Sequence, residues 1–308
     1  MNILVAVNQK FIPPLKVLLG SLLHSHKTLD AVDVYLFHAA LTGEDIAVLE
    51  GLRGRYANFR LHPVRVDLSQ YDYLQGKGVW SVETFFRLLM LKYLPEDMDR
   101  VLWLDADTLV RKSIADFYGQ PLGNTYGAVC RYPHAAESLM HLKRLRGDFG
   151  PMPQDDTFCA GVILFNLRQL RLDFTQDAFV EFYRDHKEKM RFLDQDLLNV
   201  MLGHNVVWAD ARYQYCVPSR TYVNVIRRWR PPVLHFINDL KPWAATFYRP
   251  GYALIYAWHA RRVGIKIPLP AIFASSLRRI VQRRRFIPGY CKSHAYRILV
   301  KLKLVRRR

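Results

Sequence analysis

Sulfur, long apolar runs and nucleotide-loop glycines are what this sequence has least of. Only four of its 308 residues are cysteine. Cys130, Cys159, Cys216 and Cys291 lie far apart with no CxxC pair, so neither a zinc knuckle nor a disulfide framework is indicated, and a reducing compartment fits. No apolar run reaches membrane-spanning length, and residues 1–7 form a short strand-like stretch without the cationic lead of a signal peptide; a cytoplasmic chain is the expectation. Neither GxGxxG nor GxxxxGK[ST] follows an apolar strand, which argues against a dinucleotide dehydrogenase and a P-loop ATPase. The 16 glycines and 16 prolines are scattered, with no repeat or linker.

Acidic residues are missing from one region. Residues 261–308 hold fifteen Lys or Arg and no Asp or Glu, so of the net charge of +18 only +3 remains for residues 1–260. That contrast divides the chain into a body, residues 1–260, and a basic tail, residues 261–308. Phe273, Leu277, Ile280 and Val281, and again Ile298, Leu299, Leu302 and Val305, recur at helical spacing beside arginines and lysines. Such amphipathic helices suit an anionic membrane surface, each basic residue contributing about 1 kcal/mol there. A solvated basic tail is the plainer reading. Nucleic acid is not expected: no RNP, zinc-finger or KH signature is present and the body is nearly neutral.

Half the residues are apolar, enough for an extensive core. Strands are expected at 3–7, 32–38, 59–66, 101–104, 128–130, 161–165, 206–208 and 233–236, alternating with helices at 14–24, 42–56, 84–94, 175–190 and 194–202. Thr42 and Asp45 are spaced like a capping box. This alternation predicts an α/β fold with a nucleotide-binding first half.

Four clusters of residues carry candidate chemistry. Asp105-Ala106-Asp107 closes the buried run Val101-Leu102-Trp103-Leu104. Carboxylates two apart on an extended chain project together, and a hard divalent cation shared with phosphate oxygens would relieve their repulsion; turn capping is the competing role. Arg87 interrupts the apolar stretch Phe85–Leu94 and either pairs with a structural acid or reaches an anionic or hydroxyl-rich ligand. Asp194-Gln195-Asp196 opens a helix, where capping alone accounts for either acid. His235, at the end of a buried strand, either completes a metal site begun by carboxylates or is a satisfied core residue, and Lys241 nearby offers a point charge for phosphate.

The order Asp-x-Asp, then Asp-Gln-Asp-x-Leu-Asn, then His-Phe and Lys-Pro-Trp resembles glycosyltransferase family 8 over residues 2–243. The resemblance implies a GT-A fold, a Rossmann-like mixed sheet flanked by helices with a basic helical tail. It also implies a UDP-hexose donor, manganese with magnesium as the alternative, and retention of anomeric configuration. Asp105, Asp107 and His235 would bind the metal. Val7, Asn8 and Phe11 would hold uridine, Phe11 stacking on the base, and Lys241 would contact the diphosphate. Arg87, Ala106, Ala160, Gly161 and Asp194 would lie near the donor, and Asp194, Gln195 and Asp196 would be the catalytic residues, Gln195 beside the anomeric carbon with Asp196 next to it. The implied acceptor is a lipid-linked oligosaccharide of the lipopolysaccharide or lipooligosaccharide core. The implied location is the cytoplasmic face of the inner membrane, held peripherally by the tail. A capsular or protein-linked acceptor is the alternative within the class, and a metal-dependent nucleotidyltransferase the alternative outside it. Four positions depart from the family pattern: Asn8 where acidic residues are common, Cys159 where Asn commonly precedes Ala-Gly, Asn238 where Gly is common, and Arg131 where an acidic acceptor contact is found.

Overall fold

The computed structural model describes residues 1–76, 78, 81–132, 135–217, 231–237, 241–247 and 249–282. The chain divides into two units, the first comprising Met1–Val217 and Trp229–His235, the second Pro218–Arg228 and Phe236–Arg308. The expected boundary at 260/261 falls inside one continuous helix of the second unit, Pro250–Arg262.

The first unit is built on a seven-stranded mixed sheet. Its strands are β1 (Asn2–Ala6), β2 (Val32–His38), β3 (Phe59–Arg65), β4 (Arg100–Leu104), β6 (Gly127–Arg131), β7 (Phe158–Asn166) and β8 (Val207–Ala209), in the order β3-β2-β1-β4-β7-β6-β8. The first four are mutually parallel where they pair, β7 runs antiparallel to both β4 and β6, and β8 is parallel to β6. Every residue of β7 is buried, as a strand covered on both faces requires. Because the strand order reverses between β1 and β4, their carboxyl ends form the switch point, the usual ligand position in an open α/β sheet. Val7 and Asn8 leave β1 at that end, and Asp105 leaves β4 there.

A second, three-stranded sheet was not foreseen in full. It joins β5 (Thr108–Val110), β9 (Tyr215–Cys216) and β10 (Val233–His235) in the order β5-β10-β9. Strands of two and three residues carry too little period to be read from sequence. Their register matters: His235 lies opposite Thr108 on one side and beside Cys216 on the other.

Helix α1 (Ile12–Ser25) starts with prolines in its first turn, where a missing N–H costs nothing, and buries Leu15, Val17, Leu18, Leu19, Leu22 and Leu23. Its Ser21 Oγ accepts from the Val110 N–H at 3.1 Å, and the following His26 Nε2 accepts from the Ile114 N–H at 2.9 Å, so the segment after Asp107 is pinned to the helix. Helix α2 (Gly43–Glu50) has the expected capping box between Thr42 and Asp45, but Gly51 starts a 3-10 turn that ends it before residue 56. In place of the single helix expected over 84–94, Val82–Leu89 form a 3-10 helix that passes into α3 (Met90–Tyr93); a run this long in the tighter geometry is uncommon and tends to mark a constrained site. Short helices α4 (Ala115–Gly119) and α6 (Leu167–Asp173) follow β5 and β7. Helix α5 (Ala135–Phe149), absent from the expected helices, follows β6. Helix α7 (Ala178–His186) covers part of the predicted 175–190 segment, and α8 (Asp194–Leu202) has the expected bounds.

In the second unit lie α9 (Pro250–Arg262) and α10 (Leu269–Gln282). The first amphipathic tail segment therefore does lie on a helix. The second, from Ile298 to Val305, is outside the described residues, as is Asn238. No described helix is long and apolar enough to cross a membrane.

Candidate active site

Asp105 and Asp107 do not sit on an extended chain. They occupy a tight turn between β4 and β5, closed by the Thr108 N–H and Thr108 Oγ1 both donating to the Asp105 carbonyl, at 2.9 and 2.8 Å. Turn geometry, rather than strand alternation, points both carboxylates at His235. The antiparallel register of β5 and β10 delivers the imidazole, whose Nε2 lies 3.1 Å from Asp107 Oδ1 and 3.5 Å from Asp105 Oδ2. One ligand atom from each of the three residues falls within 4.8 Å of the others. Burial opposes charging the ring, yet Asp107 and Cys159 outweigh it and hold His235 well above the usual imidazole range.

Two neighbours fix this cluster. The Asp105 N–H donates to the Gly161 carbonyl at 2.9 Å, continuing the β4–β7 ladder into the site. A Cβ at Gly161 would lie 2.2 Å from His235 Cε1 and 2.9 Å from Asp105 Oδ2, so only glycine leaves room for the ring here. Arg87 is the second neighbour. It is 4% exposed, and its guanidinium donates to Asp105 Oδ1 at 2.8 Å, to the Thr84 carbonyl at 3.2 Å and to the Ala160 carbonyl, while Nε lies 3.0 Å from Asp194 Oδ2. The same plane lies 3.9 Å from the Trp103 ring centroid, and Trp103 Nε1 donates to Asp105 Oδ1 at 2.8 Å. Arg87 pairs with Asp105 and Asp194 and donates to the Ala160 carbonyl, and so ties the end of β4, β7 and α8 together. Burial pushes the Asp194 carboxyl up to about 7, against the pull of Arg87 and with the added repulsion of Asp105.

The Asp-Gln-Asp triplet splits. Asp194 faces Arg87, and Gln195 Oε1 accepts from the Ala160 N–H at 3.2 Å. One turn on, Asn199 donates to the Phe158 carbonyl at 2.9 Å and accepts from the Phe158 N–H at 3.0 Å. Residues four apart on one helix face thus clamp the start of β7. Asp196 turns the other way. It is fully buried, with His141 Nε2 2.6 Å from Oδ1, Arg144 Nη2 2.6 Å from Oδ2, and the N–H groups of Arg191 and Phe192 donating to Oδ2 at 2.7 and 2.9 Å. Those bonds hold the turn into α8, where Leu193 has φ 47°, a left-handed conformation costing a non-glycine residue about 1–3 kcal/mol. Asp196 therefore acts on the site through the backbone it fixes.

Asn8 caps the 3-10 turn Gln9–Phe11 and donates to Glu83 Oε2 at 3.3 Å; Val7 is buried with its N–H on the Phe37 carbonyl at 3.3 Å. Lys241 belongs to the second unit, where its Nζ donates to the Phe236 carbonyl at 2.7 Å. Arg131 is half exposed, pairs with Asp156 at 2.9 Å and lies 4.8 Å from the Trp208 ring centroid. Asn199 closes the Asp-Gln-Asp-x-Leu-Asn motif, whereas sequence reasoning missed His141, Arg144, Gln214 and Cys216, which carry no local signal.

A mixed sheet whose switch-point strand ends in a paired-carboxylate turn, met by a histidine from a small second sheet, is the GT-A arrangement. The sequence profile of glycosyl transferase family 8 matches residues 2–246, and the chain belongs to that family. It is 25% identical over 252 residues to the lipopolysaccharide 1,3-galactosyltransferase of Salmonella typhimurium, covering 79% of this chain and 72% of that one. It is 25% identical over 188 residues to a lipopolysaccharide 1,2-glucosyltransferase of Escherichia coli, covering 58% of this chain and 54%, about half, of that relative. Among solved structures, the galactosyltransferase LgtC in complex with donor and acceptor sugar analogs superposes with a TM-score of 0.69 at 23% identity, over 85% of this chain and 96% of that one. The bifunctional glycosyltransferase WbbM gives 0.71 at 17% identity, over 90% and 52%.

Proposed function

We propose that the protein is a retaining, metal-dependent transferase that moves glucose or galactose from a UDP-sugar to a hydroxyl of a lipopolysaccharide or lipooligosaccharide core acceptor. The observation that carries this reading is the convergence of Asp105, Asp107 and His235 at the carboxyl end of β4, with Arg87 and Asp194 behind them. The donor set fits a divalent cation: two carboxylates and an imidazole aim at one point, and Gly161 keeps the space that any side chain would fill. Asp105, Asp107 and His235 would hold it, and imidazole among oxygen ligands favours manganese over magnesium. When bound, the cation supplies neutralisation of the charge that grows on the departing diphosphate.

The chain's own residues do the rest. Val7, Asn8 and Phe11, at the end of β1, receive the uridine, with Phe11 stacked on the base. Ala106 lies between the two metal-facing acids, against the diphosphate, and Lys241 supplies a further positive charge, an assignment that rests on the Lys-Pro-Trp sequence. Arg87 positions Asp105 and Asp194, and Asp194 orients the hydroxyls of the donor hexose beside Ala160 and Gly161. Gln195, held by Ala160, lies beside the anomeric carbon where the acceptor hydroxyl attacks. Arg131, exposed over Trp208, suits an anionic acceptor; Arg131→Asp is expected to lose transfer while keeping donor hydrolysis. In this reading the basic residues of the tail, with the exposed Leu254, Trp258 and Phe273 of the second unit, hold the enzyme peripherally on the anionic cytoplasmic face of the inner membrane.

The test is release of UDP from a panel of UDP-hexoses with manganese, with the product's anomeric configuration read by NMR. Release from one hexose donor with a retained α-linkage supports the proposal. Pyrophosphate release and sugar-phosphate labelling would instead indicate a nucleotidyltransferase.

A further inference from the structure

His235 has a second face. Its Nε2 looks toward the two aspartates, while its Nδ1 looks into a group that the transferase reading leaves without a task. Cys159 Sγ lies 3.8 Å from Nδ1 and Gln214 Nε2 lies 3.3 Å from it. Cys216, the register neighbour of His235 on β9, completes the group, and the two sulfurs and an imidazole nitrogen all fall within 4.8 Å of one another. Ligand atoms around a tetrahedral zinc ion, with bonds of about 2.0–2.3 Å, lie about 3.5 Å apart, so a small contraction reaches that geometry.

The fourth position has its own evidence. Gln214 is 1% exposed and, among the described residues, its Oε1 has no hydrogen-bond partner. Half a turn of the amide exchanges Oε1 with Nε2 and sets the oxygen where Nε2 stands, 3.3 Å from Nδ1, as a neutral oxygen ligand for a cation held there. A buried acceptor without a donor is costly, and a cation would satisfy it. Charge also balances, since two thiolates neutralise one divalent ion in a site where Cys216 is 1% exposed.

We propose that Cys159, Cys216, His235 Nδ1 and Gln214 form a site for a thiophilic divalent cation, zinc by its chemistry, that switches off the neighbouring donor-cation site by claiming the shared imidazole. A neutral imidazole has one lone pair. With Nδ1 bound to the thiophilic ion, Nε2 must carry the proton and donates to Asp107, so it no longer serves as a ligand beside the aspartates. When the ion binds, the protons held on the thiols and on Nδ1 are released to solvent, and no oxidant or reductant is involved. Closure of the aspartate site presupposes the proposed transferase function, whereas capture of the ion by sulfur does not.

Cobalt(II) separates the two, because sulfur-to-cobalt charge-transfer absorption requires thiolate ligands. In a Cys291→Ser background, prereduced full-length protein is expected to bind one equivalent of cobalt with that absorption and to lose it on adding zinc. Cys159→Ala and Cys216→Ala are expected to abolish the band, while Cys130→Ala and Asp105→Asn retain it. Zinc is expected to raise the manganese needed for half-maximal UDP release roughly tenfold or more in the parent, but not in Cys216→Ala. Absence of the band in the parent, or its full retention in a Cys216→Ala protein shown by circular dichroism to be folded, would overturn the proposal. A Cys-dependent band in a protein that turns over no UDP-sugar would uphold the sulfur site and count against the transferase reading alone.

Discussion

His141 and His235 both face aspartate, but the protein uses the two sets of carboxylates differently. Asp196 takes an imidazole, a guanidinium and two backbone N–H groups, and is fully buried. Asp105 gives one oxygen to Arg87 and Trp103 and turns the other toward His235, with 27% of its side chain exposed. A carboxylate whose lone pairs are all spent on the fold is scaffold. One that keeps an oxygen aimed at a second acid and an imidazole has what the proposed function asks of a ligand. The contrast falls inside a single helical turn as well, where Asp194 and Asp196 flank Gln195 and only the first faces Arg87.

The sharpest way to break this contrast is to neutralise one acid of each kind. Asp105→Asn is expected to lower UDP-sugar turnover by about three orders of magnitude while the protein still unfolds cooperatively, measured by UDP release alongside urea denaturation. Asp196→Asn should do the reverse and cost about 3 kcal/mol of stability at pH 7, because it strands Arg144 and frees the Leu193 turn. Its pH dependence checks the cause. Burial raises the Asp196 carboxyl, but His141 and the backbone N–H groups outweigh it and hold it below the usual range. A depressed folded value means stability present above the unfolded pKa of about 3.9 and lost as pH falls through the folded one, so the deficit of Asp196→Asn should shrink below about pH 4.

Smaller changes sharpen the same distinction. Gly161→Ala pushes a methyl group into the His235 ring and should weaken manganese binding about 100-fold, the size seen when a ligand's orientation is lost. Asn199→Ala removes two bonds to the Phe158 backbone and is expected to cost about 2 kcal/mol in denaturant unfolding, with turnover little changed in the folded fraction. Deleting residues 283–308 should leave turnover on a soluble acceptor unaltered while the protein leaves the membrane fraction; retention there would remove the tail from the account.

How much of this was legible in the sequence follows from the range of each signal. The Asp105-Ala106-Asp107 turn is legible because an apolar strand precedes it, and α8 because three polar residues open an apolar helix. Residues 82–89 were legible as helical but not as 3-10, since buried Phe85, Phe86, Leu88 and Leu89 satisfy either period over eight positions. Helix α5 was hidden because its exposed Leu139 and Met140 blur the apolar stripe. The side-chain partners of Asp196 lie 52 and 55 residues away in the chain, Cys216 meets His235 through the pairing of β9 with β10, and Cys159 reaches it from β7. Such convergence is a property of the fold, with no local pattern to announce it.

Manganese binding measured by titration calorimetry in the presence of UDP tests the central distinction most directly. One ion per chain is expected for the wild type and for Asp196→Asn at a temperature where it is folded, and none for Asp105→Asn. Undiminished binding by Asp105→Asn, or loss of binding in folded Asp196→Asn alone, would contradict the assignment of one acid to the ligand and the other to the scaffold.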